Sequence, residues 1–232
     1  MADFRKLKET AWACNMELDQ RGVVLYTFGN ASATDPGQGV FAIKPSGVPY
    51  ADLEPQDMVV VDLTGQVVEG RLTPSSDTAT HAVLYRSFEG IGGVVHTHST
   101  YATAWAQAER AIPVLGTTHA DFLPTEVPCT RVLDETAVRG DYETATGELI
   151  VERFRDLSPL QVPMVLVARH GPFAWGRTGA EAVYHGVMLE ELARLAWLTM
   201  ALEPGTGPLA TWLVEKHFQR KHGPDAYYGQ KK

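Results

Sequence analysis

Val94-Val95-His96-Thr97-His98-Ser99 joins an apolar run to two histidines one residue apart, and this segment narrows the possibilities for the chain more than any other. In an extended strand successive side chains alternate faces, so His96 and His98 lie on one side with Cα atoms roughly 6 to 7 Å apart. Imidazoles at that spacing can grip one ion, although surface or capping histidines at a strand end would look the same. Neutral imidazole is the commonest protein ligand for zinc-type ions, and a catalytic centre takes three protein ligands and leaves a position open. A third ligand must come from elsewhere in the chain.

The surrounding pattern predicts alternating helices and short strands. Phe4, Leu7, Ala11, Cys14 and Leu18 recur at helical spacing and stop at Gly22. Val23 to Phe28 reads as a strand, broken by Gly29-Asn30-Ala31-Ser32, with extended character resuming at Val40 to Ile43 before Lys44-Pro45-Ser46-Gly47. Met58 to Leu63 and Gln66 to Glu69 form a hairpin about Thr64-Gly65, and Ser75-Ser76-Asp77 opens a helix reaching Phe88. Further on come a strand from Ile91 to His98, a helix from Tyr101 to Ala108, a helix from Gly147 to Leu157, and a buried strand from Met164 to Arg169. Helices from Glu181 to Leu202 and from Leu209 to Lys221 close the pattern. This is an α/β layered organisation, and with no repeat and no linker the 232 residues read as one domain, 1–232.

Bulk properties remove several functions. The formal net charge of −8 advertises no basic patch for a nucleic-acid backbone, so an anionic partner must be held by local donors. The two cysteines, Cys14 and Cys129, form no disulfide framework or thiolate zinc motif. The charged N-terminus lacks an apolar leader and no stretch approaches 18 apolar residues, so a cytoplasmic protein without a membrane role is expected.

His170 stands at the end of the Met164 to Arg169 run, with Gly171-Pro172 turning the chain behind it. If that strand neighbours the one bearing His96 and His98, three imidazoles meet at one rim. His81 and His185 fall inside helical patterns, where packing or surface roles are the simpler reading. Ser75-Ser76-Asp77 is either a plain N-cap trio or an anion site at a helix N-terminus, with Asp77 reaching the metal as an oxygen ligand. Gly29-Asn30 and Ser46-Gly47 suit close backbone approach to phosphate or sugar oxygens, yet each alone is just a turn. Lys44 is a solvated lysine before a turn or a positive charge at that site. Gly116-Thr117-Thr118-His119-Ala120-Asp121 offers hydroxyls and a carboxylate fit for acid/base work, though a surface aspartate would look alike.

Taken in order, Gly29-Asn30-Ala31-Ser32, Lys44-Pro45-Ser46-Gly47, Pro74-Ser75-Ser76-Asp77, His96-Thr97-His98-Ser99, Gly116 to Asp121, His170 to Gly176 and the terminal Ala226-Tyr227-Tyr228-Gly229-Gln230 resemble the class II aldolases over essentially the whole chain. Within them the likeness is to the branch of sugar-phosphate 4-epimerases. The resemblance implies a three-layer α/β/α fold with a central, mainly antiparallel sheet, and a homotetramer with active sites between subunits. It matches His96, His98 and His170, with Asp77 as an additional ligand, to a divalent metal site, Zn2+ first and Mn2+ or Co2+ as alternatives. It matches Gly29, Asn30, Lys44, Ser46, Gly47, Ser75, Ser76 and Thr117 to contacts with a phosphorylated ketopentose, and Asp121 and Tyr228 to the acid/base pair. Glu143 and His217 are left without a role.

The implied reaction, in pentose catabolism of the L-arabinose type, interconverts L-ribulose 5-phosphate and D-xylulose 5-phosphate. The hydrogen on C4 is not adjacent to the C2 carbonyl and is not acidic, so inversion there requires breaking and remaking C3–C4 through an enediolate that a Lewis acid stabilises. An aldehyde attacked on either face needs a proton source on each, hence two acid/base groups. Two other readings remain at this point: an aldolase of the fuculose or rhamnulose 1-phosphate type, which releases the fragments, and a non-catalytic adducin-like module, which lacks the metal histidines.

Overall fold

A computed structural model describes residues 3–228; Gly229 and Gln230, the end of the last motif, lie outside the described residues. The chain opens with α1 (Arg5–Gln20), which Gly22 ends in the left-handed region at φ 69. Strands β1 (Asn30–Asp35), β2 (Val40–Ile43), β3 (Val59–Asp62) and β4 (Val67–Glu69) follow, then α2 (Thr78–Ser87), β5 (Gly93–His96) and α3 (Thr100–Gln107). Two short helices, α4 (Thr117–Ala120) and α5 (Glu135–Arg139), precede α6 (Tyr142–Arg153). The hairpin of β6 (Met164–Val167) and β7 (Gly171–Gly176) leads to the long α7 (Gly179–Leu202) and to α8 (Thr211–His222).

The seven strands form one sheet in the order β4-β3-β2-β1-β5-β7-β6, and each neighbouring pair runs antiparallel. Both faces of its central strands are covered, so β2, β3 and β6 read as continuous apolar runs rather than alternating ones. Ala31, Ala33, Ala42, Val60 and Val95 pack against α1 and α7, where Ala11, Leu18 and Val183 are buried. The intervening residues face the other way: Phe41, Ile43, Val59 and Val61 meet Ala82 of α2, and Val94 and Trp175 join Leu84, Phe88 and Ile150 beside α2 and α6. The expected three-layer arrangement is present.

Three expectations fail. Val23 to Phe28 is not a strand: Val23 and Val24 anchor in the core, then the chain turns at Tyr26, whose φ is 55, leaving Leu25, Tyr26 and Phe28 exposed. The strand begins at Asn30, inside the segment expected to break it. There Asn15 of α1 donates to the Ala31 carbonyl at 2.8 Å and accepts its N–H at 2.9 Å, supplying backbone partners. Likewise Gly171-Pro172 does not end the sheet but starts β7, which lies between β5 and β6. The reversal falls one step earlier, at Ala168-Arg169-His170, where Arg169 takes φ 64 and its N–H bonds the Ala106 carbonyl at the end of α3. The helix expected at Gly147 to Leu157 begins five residues sooner, at Tyr142, because Asp141 caps it through the Thr144 N–H.

β5 and β7 meet at a glycine pair, Gly93 opposite Gly176, on which the first turn of α7 is seated. A Cβ on Gly93 would lie 2.5 Å from the Cα of Gly179, and one on Gly176 would lie 2.6 Å from the Ala182 nitrogen. Both obstacles are backbone, which cannot swing aside. Gly93→Ala is expected to lower stability by about 1 to 3 kcal/mol, read from the urea midpoint at unchanged slope; a wild-type midpoint would contradict this packing.

Candidate metal centre and substrate cavity

His96 is the last residue of β5 and is pinned from both sides, opposite Asn30 on β1 and opposite Phe173 on β7. Its ring stacks on Phe173 at 4.2 Å between centroids. Its Nδ1 donates to the Pro172 carbonyl at 3.0 Å, which leaves Nε2 unprotonated in the neutral ring. His98 follows in the loop entering α3, with its Nε2 3.0 Å from that of His96. His170 arrives from the β6–β7 turn and is hydrogen-bonded through Nδ1 to the Tyr142 hydroxyl at 3.2 Å. Among the described residues, these three histidines form a cluster whose ligand atoms lie within 4.8 Å of one another. Burial holds all three below the usual imidazole range, with the neighbouring rings adding to the effect on His96 and His170 and the Asp77 carboxylate opposing it at His98 and His170. Neutral, converging imidazoles with one ring nitrogen tied back are the donor set a divalent cation takes, so the residues fit such an ion.

The triad opens into a cavity of about 330 Å³. Gly29, Asn30, Lys44, Ser46, Gly47, Ser75, Ser76 and Asp77 all line it, so the structure gathers these sequence-predicted residues around the histidines. Two loops are stitched together to achieve this. The Ser46 N–H donates to the Thr73 carbonyl at 2.9 Å and the Ser75 N–H to the Lys44 carbonyl at 3.0 Å, placing Ser46-Gly47 beside Ser75-Ser76. Gly29 needs to be glycine, with φ 81 and only 3.0 Å between a notional Cβ and the His96 carbonyl.

Asp77 occupies the N-cap position of α2 without capping it through its side chain. Its carboxylate accepts from Asn30 Nδ2 at 2.7 Å, and the same amide nitrogen donates to Ser75 Oγ at 3.1 Å. The trio is therefore spent on the cavity rather than on the helix, although Asp77 is outside the set of converging imidazole atoms. Asn30 Oδ1 is buried and has no hydrogen-bond partner, an acceptor facing no protein donor. Lys44 is not a solvated lysine: it is 1% exposed, donates to the Val48 carbonyl at 2.6 Å, and lies 4.9 Å from the Tyr50 ring centroid. Burial pushes its ammonium down to about 8.

Thr117, Asp121 and Tyr228 do not line this cavity. Thr117 opens α4 and Asp121 ends it, and α8 packs on that short helix. Asp121 accepts from His217 Nδ1 at 2.9 Å and from Arg220 Nε and Nη2 at 3.0 and 2.7 Å, with Lys221 Nζ 3.7 Å away. Partial burial pushes its carboxyl up, but the hydrogen bonds from Arg220 and His217 and the charges of Lys221 and Arg220 outweigh that and hold it below the usual carboxylate range. Tyr228 lies against Arg220 and Lys221. His217 thus belongs with Asp121, whereas Glu143 lines the metal cavity beside Tyr142. Sequence reasoning missed Tyr142; the available signal was the Asp141 cap, which sets this tyrosine at the start of a helix.

Comparison with known proteins agrees with this geometry. Residues 9–197 match the family model described as Class II Aldolase and Adducin N-terminal domain. The chain is 54% identical over 228 residues to a protein of Salmonella paratyphi A (strain ATCC 9150 / SARB42) named L-ribulose-5-phosphate 4-epimerase UlaF, covering 98% of this chain and 100% of the relative. A Salmonella typhi protein of the same name matches equally, with 54% identity over the same shares. Among solved structures, an L-fuculose 1-phosphate aldolase shares the fold with a TM-score of 0.78 at 24% identity, over 95% of this chain and 97% of that one.

Replacing His170 with Ala is expected to reduce tightly held divalent metal from one ion per chain to near none after dialysis against a weak chelator, measured by metal analysis; full retention would remove His170 from the ligand set. His119, on α4, is buried and donates through Nε2 to the Thr125 carbonyl at 3.0 Å, and burial lowers it from 6.5 to about 4. Its folded value lies below its unfolded one, so the unfolded chain takes up a proton first as pH falls. Its contribution is complete above about 6.5 and is lost progressively down to about 4. Urea midpoints measured across that window should fall less steeply in His119→Gln than in the wild type, and equal slopes would exclude His119 as the cause.

Proposed function

The chain is a member of the class II aldolase and adducin N-terminal domain family, and we propose that it works there as a metal-dependent epimerase interconverting L-ribulose 5-phosphate and D-xylulose 5-phosphate. The observation that carries this reading is the cavity itself, in which three neutral imidazoles open toward two hydroxyl-rich loops and a buried lysine, at full-length similarity to epimerases. His96, His98 and His170 hold the cation, with the Asp77 carboxylate beside them as an added oxygen ligand. A divalent ion there, Zn2+ in our reading, supplies Lewis-acid stabilisation for negative charge on the substrate oxygens.

The chain's own groups do the rest. Ser46, Gly47, Ser75, Ser76 and Lys44 hold the phosphate, and Asn30 Oδ1 takes a substrate hydroxyl. One acid/base group removes the proton from the C4 hydroxyl as the C3–C4 bond breaks, leaving the bonding pair on the three-carbon fragment as an enediolate and releasing glycolaldehyde phosphate as an aldehyde. With its phosphate still gripped, the aldehyde turns its other face to C3. The bond reforms and the second group protonates the new C4 oxygen; the first group then gives its proton to solvent and the second regains one, so atoms and charge balance over the cycle. We assign these two proton transfers to Asp121 and Tyr228.

Asp121, Tyr228 and Thr117 reach this cavity from a neighbouring copy of the chain in a homotetramer. The exposed Phe28 at the cavity, with Leu25 and Tyr26 shortly before it in the chain, and Trp212 on α8 with Tyr227 and Tyr228 after it support that assembly. Among the described residues no helix is long and apolar enough to cross a membrane, in keeping with a cytoplasmic enzyme acting as one domain over 1–232.

Incubating the metal-loaded protein with L-ribulose 5-phosphate should yield D-xylulose 5-phosphate, and the reverse, with no net build-up of free fragments by chromatography. Accumulation of glycolaldehyde phosphate and dihydroxyacetone without the epimer would overturn this reading.

A further inference from the structure

Asp121 and Tyr228 are 107 positions apart in sequence, yet the Arg220 side chain hydrogen-bonds the first and lies over the ring of the second. We propose that Arg220 is the positioning residue that fixes the Asp121 carboxylate and the Tyr228 phenol relative to each other, so that the two proton-transfer groups enter the site as one rigid unit. This rests on the reading of Asp121 and Tyr228 as the acid/base pair.

Three contacts carry it. The guanidinium fork takes both oxygens of Asp121, Nε to Oδ1 at 3.0 Å and Nη2 to Oδ2 at 2.7 Å, which fixes the plane of the carboxylate as well as its place. The same guanidinium carbon lies 5.1 Å from the Tyr228 ring centroid. The Arg220 carbonyl accepts the N–H groups of Tyr227 at 3.0 Å and Tyr228 at 3.2 Å, folding the chain after α8 back onto the helix end. Side chain and backbone of one residue therefore hold the tail against the carboxylate.

The neighbours cannot do the same. His217 reaches Asp121 through one N–H, and its contact fixes no plane. Lys221 also lies near both groups, 3.7 Å from Oδ2 and 4.4 Å from the Tyr228 centroid, but at those distances its ammonium contributes charge without a directed hydrogen bond. A lysine in place of Arg220 keeps the charge and loses the fork, which separates orientation from electrostatics.

The test compares wild type, Arg220→Lys, Arg220→Ala, Asp121→Asn and Tyr228→Phe for kcat, KM and bound metal. Arg220→Lys should lose about 10²-fold in kcat, the scale of a 1 Å misplacement of reacting groups, while KM and metal content stay within about twofold. Low-millimolar guanidinium should raise kcat of Arg220→Ala several-fold, whereas urea, its neutral counterpart, should not; a merely structural role predicts no such selectivity. Wild-type kcat in Arg220→Lys, with Asp121→Asn and Tyr228→Phe inactive, would overturn the positioning role alone. Wild-type kcat in both of those variants would overturn the acid/base reading and this proposal together. If Arg220→Ala does not fold, Arg220→Lys decides.

Discussion

The placement of His96 between two antiparallel neighbours is what the cavity end of this molecule hangs on. Its backbone is paired with Asn30 on one side and Phe173 on the other, and its ring is tied to the Pro172 carbonyl. Because side chains alternate along a strand, a slip of one residue in either pairing would send the imidazole to the opposite face of the sheet. The same register that aims His96 also delivers Asn30 from β1 and His170 from the turn ahead of β7. The imidazole cluster and the unpartnered Asn30 carbonyl oxygen beside it are thus consequences of two strand registers, not of independently placed loops.

That dependence explains which parts of the fold were legible. Val-Phe-Ala-Ile, Val-Val-Val-Asp and Met-Val-Leu-Val announce strands because their side chains are buried on both faces. Asn30–Asp35 looks like a break because its residues are mostly small and polar, and Gly171-Pro172 looks like a turn because glycine and proline are poor strand formers, even though Phe173 and Trp175 follow in the same strand. Both segments are strands because Asn15 and the neighbouring strands complete their backbone hydrogen bonds, and at Gly176 the first turn of α7 leaves no room for a Cβ. Val23 to Phe28 errs the other way: its apolar residues are divided between the core and an exposed rim, a split that composition does not display.

The site divides along similar lines. Histidines after an apolar run, and serines beside glycines or a helix start, state their chemistry through residue type and local spacing. Tyr142 and Glu143 carry no such local sign; they reach the cavity because α6 lies against α2, where Thr80 Oγ1 donates to the Glu143 carbonyl at 2.7 Å. Asp121 was legible as a carboxylate, but its partners on α8 were not, because that helix returns to it across nearly a hundred residues.

On the proposed function a chain of net charge −8 must accept a phosphorylated sugar, and burial supplies the means. Asp77 would repel an anion, yet its carboxylate is already engaged by the Asn30 amide. Lys44 is the counterweight. With its ammonium lowered only to about 8, it remains mostly charged at neutral pH. Its hydrogen bond to the Val48 carbonyl anchors the loop that carries Ser46 and Gly47. One buried cation in a low-dielectric wall acts on a phosphate more strongly than several solvated ones at the surface, where water and salt would screen them. An acidic exterior and the proposed phosphate site are therefore compatible, because the field that matters is set within a few ångströms of the loops that line the cavity.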